Sequence, residues 1–430
     1  MIELMLLAVF FLPLFLGVPV AFSIGLAAVA AMVLAIDTLP ALTTVAQRLA
    51  GGINSFALLA IPLFIVSGNL MSSGGIAQRL ITFARTLMGA LPGGLAIVNV
   101  ISCVLFGAIS GSAVAATSAV GGVMVPAMEQ DRYPKPFSAA LTATASTTGL
   151  LIPPSNILIV YAVASGGVSI AALFVGGYLP GLLVALCLTV VCVLYAKRHN
   201  ISGGERSSLL DVAQALLRAL PSLLLIVVVI GGIIGGLFTA TEAGAIAVIY
   251  ALCLSLAYGE ISLVDLPRIL IKSTETTAIV MLLVGTSIAM SWLLAFQNVP
   301  TLVADALLAV SDNPLVILLL INLALLVVGS FMDMTPAVLI FTPIFLPIAV
   351  QLDMSPLHFG IMMVLNLSIG LCTPPVGSVL FVSCAVAKTS LEQMLRPLMP
   401  MYLAMLVALA LVTYVPAFSE ALPIYLGLYE

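Results

Sequence analysis

The sequence predicts an all-α polytopic membrane protein folded as an inverted structural repeat, with two re-entrant helical hairpins and two transmembrane helices broken at Pro-Pro pairs. Three observations carry this. Charge is nearly absent: 13 Lys+Arg and 17 Asp+Glu in 430 residues, or 7%, against about 25% in soluble domains. Apolar residues make up 63% of the chain and recur in blocks of roughly twenty or more, the length that crosses a bilayer. The two halves also resemble one another at an offset near 221 residues.

Residues 1–430 read as a single membrane domain. Met1-Ile2-Glu3 leads into apolar sequence that runs past Ala35 with no basic stretch before it, as expected of a retained segment and not of a cleaved signal peptide. Pro13, Gly17 and Pro19 divide that stretch into two short spans. Further apolar blocks cover 55–72, 93–128, 137–165, 172–196, 221–238, 241–257, 277–296, 314–350, 359–387 and 399–418. Blocks 93–128 and 314–350 are too long for one span, and each is interrupted by small or polar residues, Gly107–Ser112 in the first and Gly329–Thr335 in the second. A helical hairpin entering and leaving on one side fits both. The chain then divides into a first repeat with its leading helices (1–196), a cytoplasmic connection (197–220) and a second repeat (221–430).

Basic residues orient these spans, because cytoplasmic loops collect Lys and Arg. With the connection Lys197 to Arg218 placed inside, Arg79, Arg85, Arg132, Lys135, Arg268, Lys272, Lys388 and Arg396 fall on that side too, so twelve of the thirteen basic residues agree. Arg48 is the exception, and both termini come out on the outer face. Segment 297–313, with Asp305 and Asp312 and no cation, suits the outside.

Within each half, Gly149-Leu-Leu-Ile-Pro-Pro-Ser-Asn156 matches Gly370-Leu-Cys-Thr-Pro-Pro-Val-Gly377, Pro126 meets Pro347, and with a slip of one or two residues Gly107 meets Gly329 and Asn99 meets Asn322. Five spans between the hairpins invert the second copy, the pattern secondary transporters use. A Pro-Pro pair removes two backbone donors and clashes with the preceding turn, so the helix breaks. Carbonyls freed in hydrocarbon cost several kcal/mol each unless protein, water or an ion satisfies them. Such oxygens suit a hard cation, half-helix N-termini suit a carboxylate, and glycine at the hairpin tips lets backbone approach closely. Asp333 is the clearest acid at a hairpin centre, a functional-site candidate by position. Glu242, in Thr239-Ala-Thr-Glu, reads as a helix start.

Other chemistries lack their residues. The six cysteines sit in apolar stretches without metal-type spacing and read as buried thiols. The histidines, His199 and His358, lie far apart in what read as short polar connections, and no G-x-x-x-x-G-K-[ST] loop occurs. No basic face suggests nucleic acid. A membrane-embedded enzyme is therefore the weakest alternative; a channel is disfavoured by Pro-broken helices packed against hairpins, and a stand-alone sodium/carboxylate symporter stays open.

At Phe238-Thr-Ala-Thr-Glu-Ala-Gly-Ala and the two Gly-x-x-x-Pro-Pro segments, the chain resembles the large membrane subunit of tripartite ATP-independent periplasmic (TRAP) transporters, of the broader ion-transporter superfamily, over essentially its whole length. The resemblance implies an elevator-type, Na⁺-driven importer of organic acids in the bacterial inner membrane. Its partners would be a small four-helix membrane subunit, expected to be a separate chain here, a periplasmic substrate-binding protein and the surrounding lipids. It implies one sodium site from Gly107, Ser110, Gly149, Ile152 and Pro154, and a second from Gly329, Gly370, Thr373 and Val376, mostly through backbone carbonyls. Thr373 supplies a hydroxyl that its mate Ile152 lacks. Substrate, a C4-dicarboxylate or a sugar acid such as sialic acid, would sit near Ser112, Asn156 and Asp333.

Overall fold

The computed structural model describes residues 2–201, 203 and 208–429, and Arg206 and the two terminal residues fall outside them. The described residues are helical and contain no strand. In chain order, α1 (Ile2–Phe15), α2 (Val20–Ala35) and α3 (Thr38–Ile53) lead to a 3-10 turn at Phe56–Leu59 that continues as α4 (Ala60–Ser73). Then come α5 (Ile76–Met88), α6 (Gly94–Ser110), α7 (Ala113–Gln130), α8 (Lys135–Ser146), α9 (Asn156–Ala164) and α10 (Ile170–Arg198). The second half holds α11 (Leu209–Ile234), α12 (Ala240–Ala257), α13 (Leu266–Phe296), α14 (Val299–Val310), α15 (Pro314–Phe331) and α16 (Met334–Gln351). It ends with α17 (Pro356–Gly370), α18 (Ser378–Ala387), α19 (Leu391–Tyr414) and α20 (Ala417–Tyr425). Eight of these segments are long and apolar enough to cross a membrane: α4 with its 3-10 turn, α10, α11, α12, α13, α15, α16 and α19.

Starts recur. Gly94, Ala113, Lys135, Asn156 and Ile170 open α6 to α10, and Pro314, Met334, Pro356, Ser378 and Leu391 open α15 to α19, 220 to 222 residues later. In each set the first two helices meet through a two-residue turn, Gly111-Ser112 or Met332-Asp333, and the next two are separated by the Pro-Pro segment. The Pro153–Pro154 and Pro374–Pro375 bonds are both cis.

Packing crosses between the halves. Helix α6 lies on α7 and α8, and α15 on α16 and α17, but α18 lies on α7 and α8 while α9 lies on α16. Around this body, α4 packs along α12, and α13 touches α2, α3, α4 and α16. Small residues make the α4–α12 contact close: Ala240, Ala243, Gly244, Ala247 and Ala251 are buried on α12, and a methyl on Gly244 would sit 3.0 Å from Leu63 Cβ. With no hydrophobic drive between helices in lipid, such small-residue contacts gain dispersion energy that bulkier faces forgo.

Several boundaries differ from the sequence reading. Residues 38–53, expected as a connection, form α3, whose Ala41 and Val45 face inward while Arg48 stacks 5.0 Å over Trp292. The connection 197–220 is largely helical, because Ser208 and Asp211 form a capping box that starts α11 at Leu209 and α10 runs to Arg198. Likewise α13 begins eleven residues before position 277. His358 is no connector residue: it lies in the first turn of α17, 2% exposed, with Nε2 2.6 Å from Val412 O. Ser355, at the start of α17, donates to Glu420 of α20. Cys103, Cys192 and Cys372 are buried, whereas Cys253 is exposed. Glu242 does start a helix, accepting from Thr239 N at 2.8 Å and Thr239 Oγ1 at 2.9 Å.

Candidate functional site

Two glycine pairs bring the helix turns onto the breaks. A Cβ built on Gly107 would lie 2.5 Å from Gly149 Cα, and one on Gly149 would lie 2.4 Å from Gly107 Cα. In the other half, a Cβ on Gly329 would lie 3.1 Å from Gly370 Cα, and one on Gly370 would lie 2.6 Å from Gly329 Cα. Backbone therefore touches backbone, which only glycine permits. The pairing also gives the Gly-x-x-x-Pro-Pro pattern its physical meaning: its glycine is the landing point for the opposite helix, and its prolines end the helix just beyond.

In the first half the rest of the predicted set gathers here. Gly111, in the left-handed region at φ 59, turns the chain so that a Cβ there would lie 2.9 Å from Pro154 O. Ser110 and Ser112 hydrogen-bond around this turn, Ser112 N reaching Ser110 Oγ at 3.5 Å, and Ser112 Oγ accepts from Ala115 N at 3.3 Å. Ile152 and Pro154 are buried. Asn156 opens α9, and its Oδ1 is buried with no partner.

In the second half, Val376 N donates to Ser330 O at 3.2 Å, tying the break to the tip of α15. Thr373 Oγ1 donates to Ile369 O at 2.8 Å. That spends the hydroxyl's proton and leaves its oxygen able only to accept. This break is the more open one: Val376 is 47% exposed, against 3% for Ile152. Asp333 precedes α16 with no side-chain cap hydrogen bond and is exposed; no hydrogen bond joins it to Ser112 or Asn156 among the described residues.

Sequence reasoning missed Ser378 and the asparagine braces. Ser378 opens α18 as Asn156 opens α9, and its Oγ is likewise buried without a partner. Asn99 Nδ2 donates to Thr142 Oγ1 at 2.7 Å, and Asn366 Nδ2 to Asn322 Oδ1 at 2.8 Å, fixing α6 on α8 and α15 on α17. Two unpartnered buried oxygens at matching helix starts are what a cation or polar ligand would satisfy, since such atoms left alone cost about 1–3 kcal/mol. No cluster of His, Cys, Asp and Glu able to hold a metal occurs among the described residues; the polar atoms at the turns and breaks are carbonyls, amides and hydroxyls.

Described residues that are all helical, with eight segments able to cross a membrane and paired helix turns packed on Pro-Pro breaks, define a multi-pass membrane protein. A solved structure, that of the Alcanivorax borkumensis YdaH transporter, shares the fold at a TM-score of 0.66 and 16% identity, covering 89% of each chain. The family described as "Tripartite ATP-independent periplasmic transporter, DctM component" matches residues 7–418, and the chain belongs to it. It is 52% identical over 407 residues to the uncharacterized protein YgiK of Salmonella typhimurium, covering 95% of this chain and 94% of that one. It is 38% identical over 426 residues to the C4-dicarboxylate TRAP transporter large permease protein DctM of Rhodobacter capsulatus, covering 96% of each. The chain is thus a large permease subunit and not an enzyme.

Proposed function

We propose that this chain carries an organic acid, of the C4-dicarboxylate or sialic acid type, across the bacterial inner membrane in symport with Na⁺, receiving it from a periplasmic binding protein and working beside a small four-helix membrane subunit. The observation that carries this reading is the doubled site: each glycine pair sets a helix turn against a Pro-Pro break, and each break is followed by a helix whose first residue holds an unpartnered buried oxygen. One cation would be held by Gly107, Ser110, Gly149, Ile152 and Pro154, the other by Gly329, Gly370, Thr373 and Val376. Substrate would lie by Ser112, Asn156 and Asp333, where the starts of α7, α9, α16 and α18 favour a carboxylate.

In this reading α6–α9 and α15–α18 form inverted repeats and move together past the framework of α4 and α11–α13, an elevator with the helix pairs entering from opposite faces. Both termini lie outside. Each charge crossing the full potential supplies about 2.3 kcal/mol per 100 mV, so two ions supply about 4.6 kcal/mol, less the charge the substrate carries. Uptake of a labelled C4-dicarboxylate or sialic acid into proteoliposomes, with and without a Na⁺ gradient and the binding protein, tests it. Sodium-independent uptake would sink the coupling. Full uptake without the binding protein would favour the stand-alone symporter.

A further inference from the structure

Away from the breaks, α5, the start of α11 and the end of α12 surround a cavity of about 730 Å³ that shares no residue with either helix pair. That volume falls in the range of small-ligand sites, roughly 300–1,000 Å³. Its charged lining consists of Arg79, Arg218, Asp211 and Glu260. The acids are already engaged. Asp211 Oδ2 accepts from Ser208 N at 3.0 Å and Ser208 Oγ at 2.8 Å, and Glu260 Oε1 lies 3.7 Å from Arg79 Nη2. Arg79 is held in place from two further directions, donating to Gly75 O at 3.0 Å with its guanidinium 3.6 Å over the Tyr258 ring.

Donor capacity is left over. Arg218 forms no ion pair with any described residue, and the Tyr258 hydroxyl is buried with no partner. A guanidinium has five N–H groups in a fork that fits a phosphate; Arg79 spends only part of its set. The level along the bilayer narrows the ligand. Arg218 stands beside exposed Leu217, Leu220 and Leu224 on α11, where the apolar run of that helix begins, so the cavity opens where headgroups meet acyl chains. Basic pockets between transmembrane helices at that depth take lipid headgroups.

We propose that this cavity is a phospholipid site: the phosphodiester is held by Arg218 and Arg79, with Tyr258 as a further donor, and the acyl chains lie along α11. A lipid there ties α5, the helix that leads into α6, to α11 and α12.

Delipidated, detergent-purified protein is titrated with phosphatidylglycerol and observed by native mass spectrometry, beside diacylglycerol and inorganic phosphate as separate arms. The expected result is one retained phosphatidylglycerol per chain, weak retention of diacylglycerol, and at least a tenfold loss of phosphatidylglycerol retention in Arg218→Gln. Arg268→Gln, on α13 and outside the cavity, should bind as the parent does. Since the Arg218 side chain is exposed and forms no ion pair with a described residue, its loss should leave folding intact, and Arg79→Gln serves as the second variant. Equal retention of diacylglycerol, undiminished retention in Arg218→Gln together with Arg79→Gln, or displacement of the lipid by millimolar inorganic phosphate would each overturn the proposal, the last by assigning the cavity to free phosphate.

Discussion

Replacing Gly149 with alanine puts the sharpest demand on the close approach of α6 to the first break. The added carbon would lie 2.4 Å from Gly107 Cα, 2.9 Å from its carbonyl carbon and 3.2 Å from its oxygen. Ordinary carbon contacts begin near 3.5 Å, and none of these atoms can rotate away, so the two backbones must part by about 1 Å. Overpacking of that kind costs about 1–3 kcal/mol, which should lower the melting temperature of the detergent-solubilised protein by about 1–3 °C for a chain of 430 residues. Under the proposed sodium coupling, strain borne by an ion-bound form should raise the half-saturating sodium concentration, tenfold for about 1.4 kcal/mol. Gly370→Ala, at 2.6 Å from Gly329 Cα, should follow closely, and Gly329→Ala, at 3.1 Å, should be milder. Gly122 of α7 has nothing within 4 Å of an added methyl, so Gly122→Ala should be neutral or stabilising by about 0.5–1 kcal/mol. Thermal unfolding and sodium-dependent uptake across these variants read the order directly. A Gly149→Ala protein as stable and as sodium-sensitive as Gly122→Ala would refute the close-contact reasoning.

Other substitutions separate the roles of the remaining site residues. Thr373→Ala removes the hydroxyl whose proton is given to Ile369 O, so under the proposed coupling the sodium dependence of uptake should weaken about tenfold; an unchanged titration removes Thr373 from the proposed second cation site. Asp333→Asn should reduce substrate uptake at least about tenfold while any sodium-induced rise in melting temperature persists; simultaneous loss of both would assign Asp333 to the proposed cation site instead. Ser383 Oγ donates to Ala139 O at 2.7 Å, joining α18 to α8, so Ser383→Ala should cost about 1 kcal/mol of stability, while an unchanged melting temperature would show that the bond contributes nothing.

What could be read in advance followed from how locally each feature is encoded. Prolines and glycines act within a turn of themselves, so Pro153-Pro154, Pro374-Pro375 and the small residues at 107–112 marked the interruptions directly. Helix α3 escaped because its pattern is short and mixed: Thr, Gln and Gly share its faces with Leu, and only the contact of Arg48 with Trp292, 244 residues away, explains an otherwise misplaced cation. Ser378 escaped through register. At the offset of 221 Asn156 falls on Gly377, and the structural mate lies one residue further on. The greater exposure of the second break follows from tertiary packing, which no local pattern records. Capping decides boundaries, and the Ser208–Asp211 box moved the start of α11 well into what composition suggests is a loop.

The crossed seating of α18 on α7 and α8 also bears on how the protein is made. Helix α7 leaves the ribosome complete at Gln130, but the surface that covers it ends at Ala387. At about 5–20 residues per second, some 260 residues of further synthesis keep that surface waiting for roughly 13–50 s. During this interval the part of α7 that α18 covers, at Gly121 opposite Val386, must lie against lipid or an insertion factor. Nascent chains halted before residue 378 should therefore crosslink to such a factor through α7, and release it only once α18 has emerged.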